Sequence, residues 1–270
     1  MNEIPIWGTY APKSKARCLR FLTSTGVARG RIAKKTSTLW RRLHGDLIDI
    51  QIRGIKYRMN LGDNTTDTKV LCSSKEYDQK ELSALKDSCK DGVFVDAGAN
   101  VGYYSLAMAQ AGAARVLAIE PNPPTLKRLL FHIQINQFAH LITPVSTGIG
   151  PKGESTFFST GDLGSASLIE DASLKNTAIT IQTRPLLDLI QKQGVDKIDG
   201  MKIDVEGMED RALLPFFQTA PASLWPSCLV IEHCHQKEWE TDIISYLLKN
   251  GYQQTGKTRA NTILKFNPNT

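Results

Sequence analysis

The residues best suited to chemistry fall in three short blocks. The first is VFVDAGANVGYYS, Val93 to Ser105. Val93, Phe94 and Val95 read as a buried strand, and Asp96 stands at its carboxyl end, where open α/β sheets hold ligands. Gly98 lets the chain turn tightly, and Gly102 lets the next helix pack close to the strand. The spacing is Gly-x-x-x-Gly, not the Gly-x-Gly-x-x-Gly of dinucleotide folds, and Asn100 stands where a second glycine would admit a pyrophosphate. A ligand without phosphates fits better. S-adenosylmethionine (SAM) is one: backbone N–H groups at the helix start suit its carboxylate, and an acid such as Asp96 suits its ammonium group. Glu120 ends the next strand, 18 residues after Gly102, where an acid accepts hydrogen bonds from both hydroxyls of a ribose. The plain alternative is that Asp96 caps the helix and Glu120 is an exposed strand end.

The second block is KIDVEGMED, Lys202 to Asp210. Lys202 and Asp204 lie two apart on a strand and share a face. Asp204 ends that strand, Glu206 follows in the turn, and Glu209 falls in the first helical turn, where the helix dipole favours negative charge. Three acids at the cleft end of a sheet could supply the base that takes a proton from an acceptor hydroxyl, or hold a divalent metal; capping plus a buried lysine–acid pair is the structural alternative. The third block is IEHCHQ, Ile231 to Gln236, at the next strand end. Its Glu232, His233 and His235 lie near the same cleft edge. His233 reads as a base or substrate contact, or as a histidine satisfied at a strand end. His-x-His beside a cysteine lacks further ligands at zinc spacing, so no metal is assigned.

The elements that must position these blocks follow from periodicity. From residue 93 onward strands and helices alternate, the pattern of a parallel sheet with helices on its faces. Strands are expected at Val93–Asp96, Arg115–Glu120, Ile142–Ser146, Met201–Asp204 and Cys228–His233, with a closing pair near Tyr252–Thr255 and Thr262–Phe266. Helices are expected at about Tyr103–Gln110, after Pro123-Pro124 to about Ile135, at Pro185–Gln193, Glu206–Leu214 and Glu238–Lys249. Gly153 to Thr183 breaks the rhythm and reads as a β-hairpin insertion able to reach over the site. Ahead of the sheet, residues 47–61 alternate apolar and polar on either side of Gly54, as two short strands or a hairpin, and Lys75–Cys89 reads as a helix. The division is a basic extension over 1–45, a small β/helical lead-in over 46–92 and the main domain over 93–270.

Composition bounds the rest. A 41% hydrophobic fraction over 270 residues supports a sizeable core. No apolar run reaches the roughly 20 residues of a membrane span, no leader pattern opens the sequence, and five cysteines without a C-x-x-C pair read as reduced thiols; a cytoplasmic protein is expected. Residues 1–45 carry ten Lys/Arg against the single acid Glu3. That block reads as a solvated, partly mobile arm, or as a contact for an anionic partner such as nucleic acid, acidic glycan or lipid headgroups.

DAGANVGYYS, AIEPNP (Ala118–Pro123) and MKIDVEGMED (Met201–Asp210) together resemble the FkbM-type SAM-dependent methyltransferases. The resemblance runs from about Lys75 to the end. It implies a Rossmann-like class I fold with a mostly parallel seven-stranded sheet, and methyl transfer to a hydroxyl oxygen of a sugar, glycan or natural product. It implies cofactor contact by Asp96, Gly98, Ala99, Asn100, Gly102 and Tyr103, and a ribose acid at Glu120 with Pro121 and Asn122 beside it. It puts Asp204 and Glu206 next to the transferred methyl, with Asp204 also on the cofactor side. Arg184-Pro185 departs from the family's commoner leucine–aspartate run, which leaves any role for Asp188 open. Two other classes stay open: an RNA methyltransferase using the basic arm, and a non-catalytic SAM- or nucleoside-binding module.

Overall fold

The computed structural model describes residues 4–13, 31–159, 166–167 and 178–267. Its centre is a seven-stranded sheet. The strands are β3 (Val93–Ala97), β4 (Arg115–Ile119), β5 (Ile142–Val145), β10 (Gly200–Ile203), β11 (Cys228–Glu232), β12 (Tyr252–Lys257) and β13 (Asn261–Phe266), in the order β12-β13-β11-β10-β3-β4-β5. Every pairing from β5 across to β11 is parallel, and β13 runs antiparallel to both its neighbours. Strand order reverses between β3 and β10, the switch point at which such sheets open a ligand crevice. This is the class I methyltransferase architecture implied by the sequence blocks.

Alternation along each strand divides the core in two. Phe94, Val116 and Val230 face one layer with α3 (Gln79–Cys89), α4 (Tyr103–Gln110) and α5 (Pro123–Ile135). Val95, Leu117 and Ile231 face the other, with α6 (Leu186–Lys192), α7 (Glu209–Thr219) and α8 (Ile243–Lys249). Helices thus cover both faces, as expected of a parallel sheet.

Ahead of the sheet, β1 (Leu47–Ile52) and β2 (Ile55–Asn60) pair antiparallel through Arg53 and Gly54, both at positive φ, the tight hairpin turn whose twist matches its strands. The expected single helix over 75–89 begins only at Gln79, because Asp78 is held in the left-handed region at φ 51°. A helix that periodicity missed, α2 (Thr65–Cys72), precedes it. Its β-branched threonines and valine are poor helix formers, and it is started by Asn64, whose side chain accepts from the Asp67 N–H. Two other helix starts shift. α7 begins at Glu209, because Glu206 and Gly207 both take positive φ, and α8 begins at Ile243, after an Asp242 cap.

Part of the basic extension is docked on the chain, while most of its described side chains are exposed. Residues 4–13 lie on the hairpin: Arg58 pairs with the fully buried Asp49 at 2.7 Å and donates to the carbonyls of Pro5 and Ile6, and Asp49 accepts from the Gly8 and Tyr10 N–H groups. In α1 (Arg31–His44), Trp40 is fully buried in the core. Lys15, Arg17, Arg20 and Arg29 lie outside the described residues, as does most of the Gly/Ser-rich stretch 161–168. What is described of the insertion is a second sheet of β6 (Gly148–Ile149), β7 (Gly153–Ser159), β8 (Ala166–Ser167) and β9 (Ala178–Arg184), with β7 and β9 antiparallel. Among the described residues no helix is long and apolar enough to cross a membrane.

One buried histidine fastens the hairpin to the sheet. His132 on α5 lies with Nδ1 2.8 Å from the Val101 carbonyl, while Nε2 accepts the Arg58 N–H at 2.9 Å. Burial pushes its pKa from the ordinary 6.5 down to about 4. An unfolded histidine takes up a proton below about 6.5 and the folded one only below about 4, so stability is present at neutral pH and is lost as pH falls through that window. The loss reaches at most about 3 kcal/mol. Urea unfolding from pH 7.5 down to pH 4 should show this slope in the wild type and a shallower one in His132→Gln.

Candidate functional site

A cavity of about 300 Å³ opens at the switch point, on the carboxyl ends of β3, β4, β10 and β11. That is the size at which small-ligand pockets begin. All three sequence blocks reach it: Asp96, Gly98 and Asn100 from the first, Glu120 and Pro121 from β4 and its turn, Asp204 and Glu206 from the second, and Glu232 and His235 from the third.

Two turns are pressed together at its floor. Gly98 has φ +85°, and a side chain there would run into the Asp204 carbonyl oxygen. The Asp204 N–H donates to the Ala97 carbonyl at 2.9 Å, extending the parallel β3–β10 ladder in which Asp96 stands opposite Lys202. Gly102, at φ +93°, lets α5 close in, since a Cβ would meet Leu129 at 2.5 Å. Asn100 adopts φ 51° without being glycine, a conformation asparagine tolerates.

Acids hold the turn that the two glycines permit. Glu120 accepts the Asn100 N–H on one oxygen and the Asn122 N–H on the other, both at 2.8 Å. Each carboxylate oxygen keeps a lone pair, so two further donors can still be accepted. Burial raises the Glu120 pKa to about 7. Asp96 is 1% exposed, accepts from the Ser105 hydroxyl at 2.6 Å, and is raised to about 6, again by burial. Lys202 is buried beside it. Burial works against the ammonium, but Asp204, at 3.1 Å, raises its pKa on balance.

A tight acidic group lies opposite. Burial, then Asp204, Glu232 and Glu209, lift Glu206 to about 9. Its Oε2 is 3.6 Å from His235 Nε2, and the His235 Nδ1 is 3.1 Å from Glu238. Burial lowers the His235 pKa, but Glu238 and the other acids outweigh it and the balance is upward. Glu209 is fully buried and takes the Val205 and Gly207 N–H groups on Oε1 and the Trp239 indole on Oε2.

The structure does not bring every expected site residue to the cavity. His233 is not among its lining residues: its ring pairs with the Thr262 hydroxyl at 3.1 Å and its N–H donates to the Ala260 carbonyl. β11 ends at Glu232, and the turn that follows carries His235 to the lining instead. Gly102 and Asn122 stand behind the wall, where Gly102 spaces the helix and Asn122 is buried against Glu120; Ala99 and Tyr103 line it. Sequence reasoning missed Thr65, Thr66, Lys69, Tyr77 and Asp78, which form the wall nearest the hairpin. The signal was available in GDNTTDT, an asparagine cap ahead of a short helix. Asn64 donates to the Asn100 side chain at 2.9 Å, and Arg128 pairs with Asp63 and Asp67, tying that wall to the turn and to α5.

A sequence model described as the methyltransferase FkbM domain matches residues 96–253, more than half of the chain. The chain belongs to the FkbM methyltransferase family. Among solved structures it is similar to methyltransferase FkbM from Methylobacillus flagellatus KT, at 25% identity over 67% of this chain and 44% of that one, with a TM-score of 0.41. It is also similar to the M. jannaschii tRNA m1G37 methyltransferase, at 15% identity over 82% of this chain and 57% of that one (TM-score 0.45). A third is the precorrin-6y C5,15-methyltransferase from Geobacter metallireducens GS-15, at 15% identity over 70% and 86% (TM-score 0.43). The chain spans less than two thirds of the first two proteins. No curated protein matches it significantly.

The contact between the two turns makes a sharp test. Gly98→Ala should destabilise by about 1–3 kcal/mol from overpacking alone, with the cost of the left-handed backbone added. Gly112→Ala shares a positive φ, +96°, but its Cβ meets nothing within 4 Å, so it carries only the backbone cost. Equal losses for the two variants in urea unfolding would contradict the close approach.

Proposed function

We propose that this FkbM-family protein is a SAM-dependent O-methyltransferase whose acceptor is a hydroxyl-bearing small molecule, sugar or glycan. The observation that carries the reading is the cavity's carboxyl-rich lining. Asp78, Asp96, Glu120, Asp204, Glu206 and Glu232 line it against Lys69 and Lys202. Such a wall suits a cofactor carrying a sulfonium and an ammonium, and an uncharged acceptor; it opposes a polyanion. The acidic lining therefore favours a hydroxyl acceptor over RNA as the substrate.

In this reading Asp96 faces the ammonium group and Glu120 uses its two remaining lone pairs for the ribose hydroxyls. Asn100 shapes the turn, and the carboxylate lies against the start of α4, where the helix dipole favours negative charge. When bound, SAM supplies an electrophilic methyl; the residues align an oxygen with it and exclude water. Asp204 lies at the reacting edge. Glu206, whose proton is held up to about pH 9, stands 3.6 Å from His235, and His235 takes the acceptor's proton as its oxygen is methylated. His235 takes over the part first given to His233, because it lines the cavity. The insertion sheet contributes Gly148, Ile149 and Ile181 as a roof. Residues 93–270 form the transfer domain, 46–92 wall it, and 1–45 extend it.

Asp96 and Glu120 hold protons near pH 6 and 7 in the free protein. A cationic ligand needs them ionised. Calorimetry at pH 6.5 in two buffers of different ionisation enthalpy should register proton release on SAM binding, and affinity should rise from pH 5.5 to 8. Asp96→Ala and Glu120→Ala should each weaken SAM by tenfold or more; wild-type affinity in both sinks the cofactor assignment. The acceptor class is tested by S-adenosylhomocysteine formation with separated glycan, lipid, small-metabolite and RNA fractions. Turnover with RNA alone would overturn the hydroxyl-acceptor reading, and no turnover with any fraction would favour a binding module.

A further inference from the structure

The acidic side of the cavity holds more negative charge than its lysine offsets. Asp204, Glu209 and Glu232 each place a carboxylate oxygen within 4.8 Å of the others. They come from the ends of two adjacent parallel strands, with Ile203 of β10 opposite Ile231 of β11, and from the first turn of α7. Lys202 engages Asp204 Oδ2 and the Ile203 carbonyl. An independent feature points to a missing positive partner. Glu232 is only 7% exposed; its Oε1 accepts the Cys234 N–H at 2.9 Å, but its Oε2 is buried with no hydrogen-bond partner. A buried carboxylate oxygen left bare is costly in a protein interior, and native structures pair or coordinate such atoms.

We infer that Asp204 and Glu232, backed by Glu209, bind one divalent cation at the edge of the cavity. The donors are all carboxylate oxygens, which select a hard ion such as Mg²⁺ or Mn²⁺ over zinc or copper. Glu209 is already satisfied by two N–H groups and the Trp239 indole, so it contributes as a remaining lone pair or through water. The partly exposed side of Asp204 leaves positions open toward the cavity. The cation's part in methyl transfer rests on the function proposed above: it holds an acceptor oxygen and makes its proton easier to remove. Binding itself does not depend on that function.

The test uses the full chain, stripped with EDTA and dialysed, with no cofactor or acceptor present. Mn²⁺ is titrated in and the free ion is followed by its electron paramagnetic resonance signal. One Mn²⁺ should bind per chain and be displaced by Mg²⁺. Glu232→Gln and Asp204→Asn should each weaken it by tenfold or more, with circular dichroism unchanged. Absence of wild-type binding up to millimolar Mn²⁺, or undiminished binding in both variants, would overturn the site. Because the titration omits SAM, such a failure leaves the methyltransferase reading standing, and failed SAM binding leaves the cation site standing.

Discussion

The contact of Gly98 with the Asp204 carbonyl is the constraint on which the site depends. It joins the turn after β3 to the turn after β10 at the point where strand order reverses. No side chain fits there, so the approach is available only to glycine. The consequence is geometric: the cofactor-type turn and the acidic strand end, about a hundred residues apart in sequence, share one floor. Asp96 and Lys202 then fall opposite each other in the ladder, and the lysine's charge is shared between the two turns. Loosening this contact would separate the two halves of the proposed chemistry without removing any of its functional groups.

Burial does most of the electrostatic work. Asp96, Glu120 and Glu206 all lie above the ordinary carboxylate range, and in each case desolvation is the leading cause. Hydrogen bonds pull Asp96 and Glu120 back, but only partly. The site is therefore poised for a ligand that brings positive charge or donors: binding would replace lost solvation. Structural ion-pair networks also shift pKa values, yet here the shifted acids converge on one cavity at the carboxyl edge of the sheet.

The sheet was legible because its signals are local and strong. Apolar runs such as VFV and VLAI have few other uses, and Tyr103–Gln110 and Pro123–Ile135 fall within two residues of where the sequence puts them. What resisted was decided by residues far apart. Nothing in HCH tells which histidine turns inward; the end of pairing at Glu232 decides that, and it depends on the partner Asn261 of β13. Thr65, Thr66 and Asp78 belong to a stretch with weak helical propensity, and their place at the cavity follows from the contacts of Asn64 with Asn100, Asp78 with Tyr104 and Asp63 with Arg128. The docking of residues 4–13 was hidden for a similar reason: the buried acid that collects their N–H groups, Asp49, looks in sequence like the polar member of an alternating strand.

The same contrast bears on the acceptor. The floor of the cavity is built from the family's blocks, whereas its walls come from 62–78 and from the 148–184 sheet. The 62–78 wall is held by side-chain contacts that reach back to the first block. Asn64 meets Asn100, Tyr104 donates to Asp78, and the Tyr103 hydroxyl donates to the Tyr77 carbonyl. A wall fixed to the floor in this way has little freedom to close around bulky ligands by moving independently. On the function proposed above, acceptor selection would then depend on the shape and charge presented by Lys69, Tyr77 and Asp78, a wall positioned through Asn64, Tyr104 and Arg128.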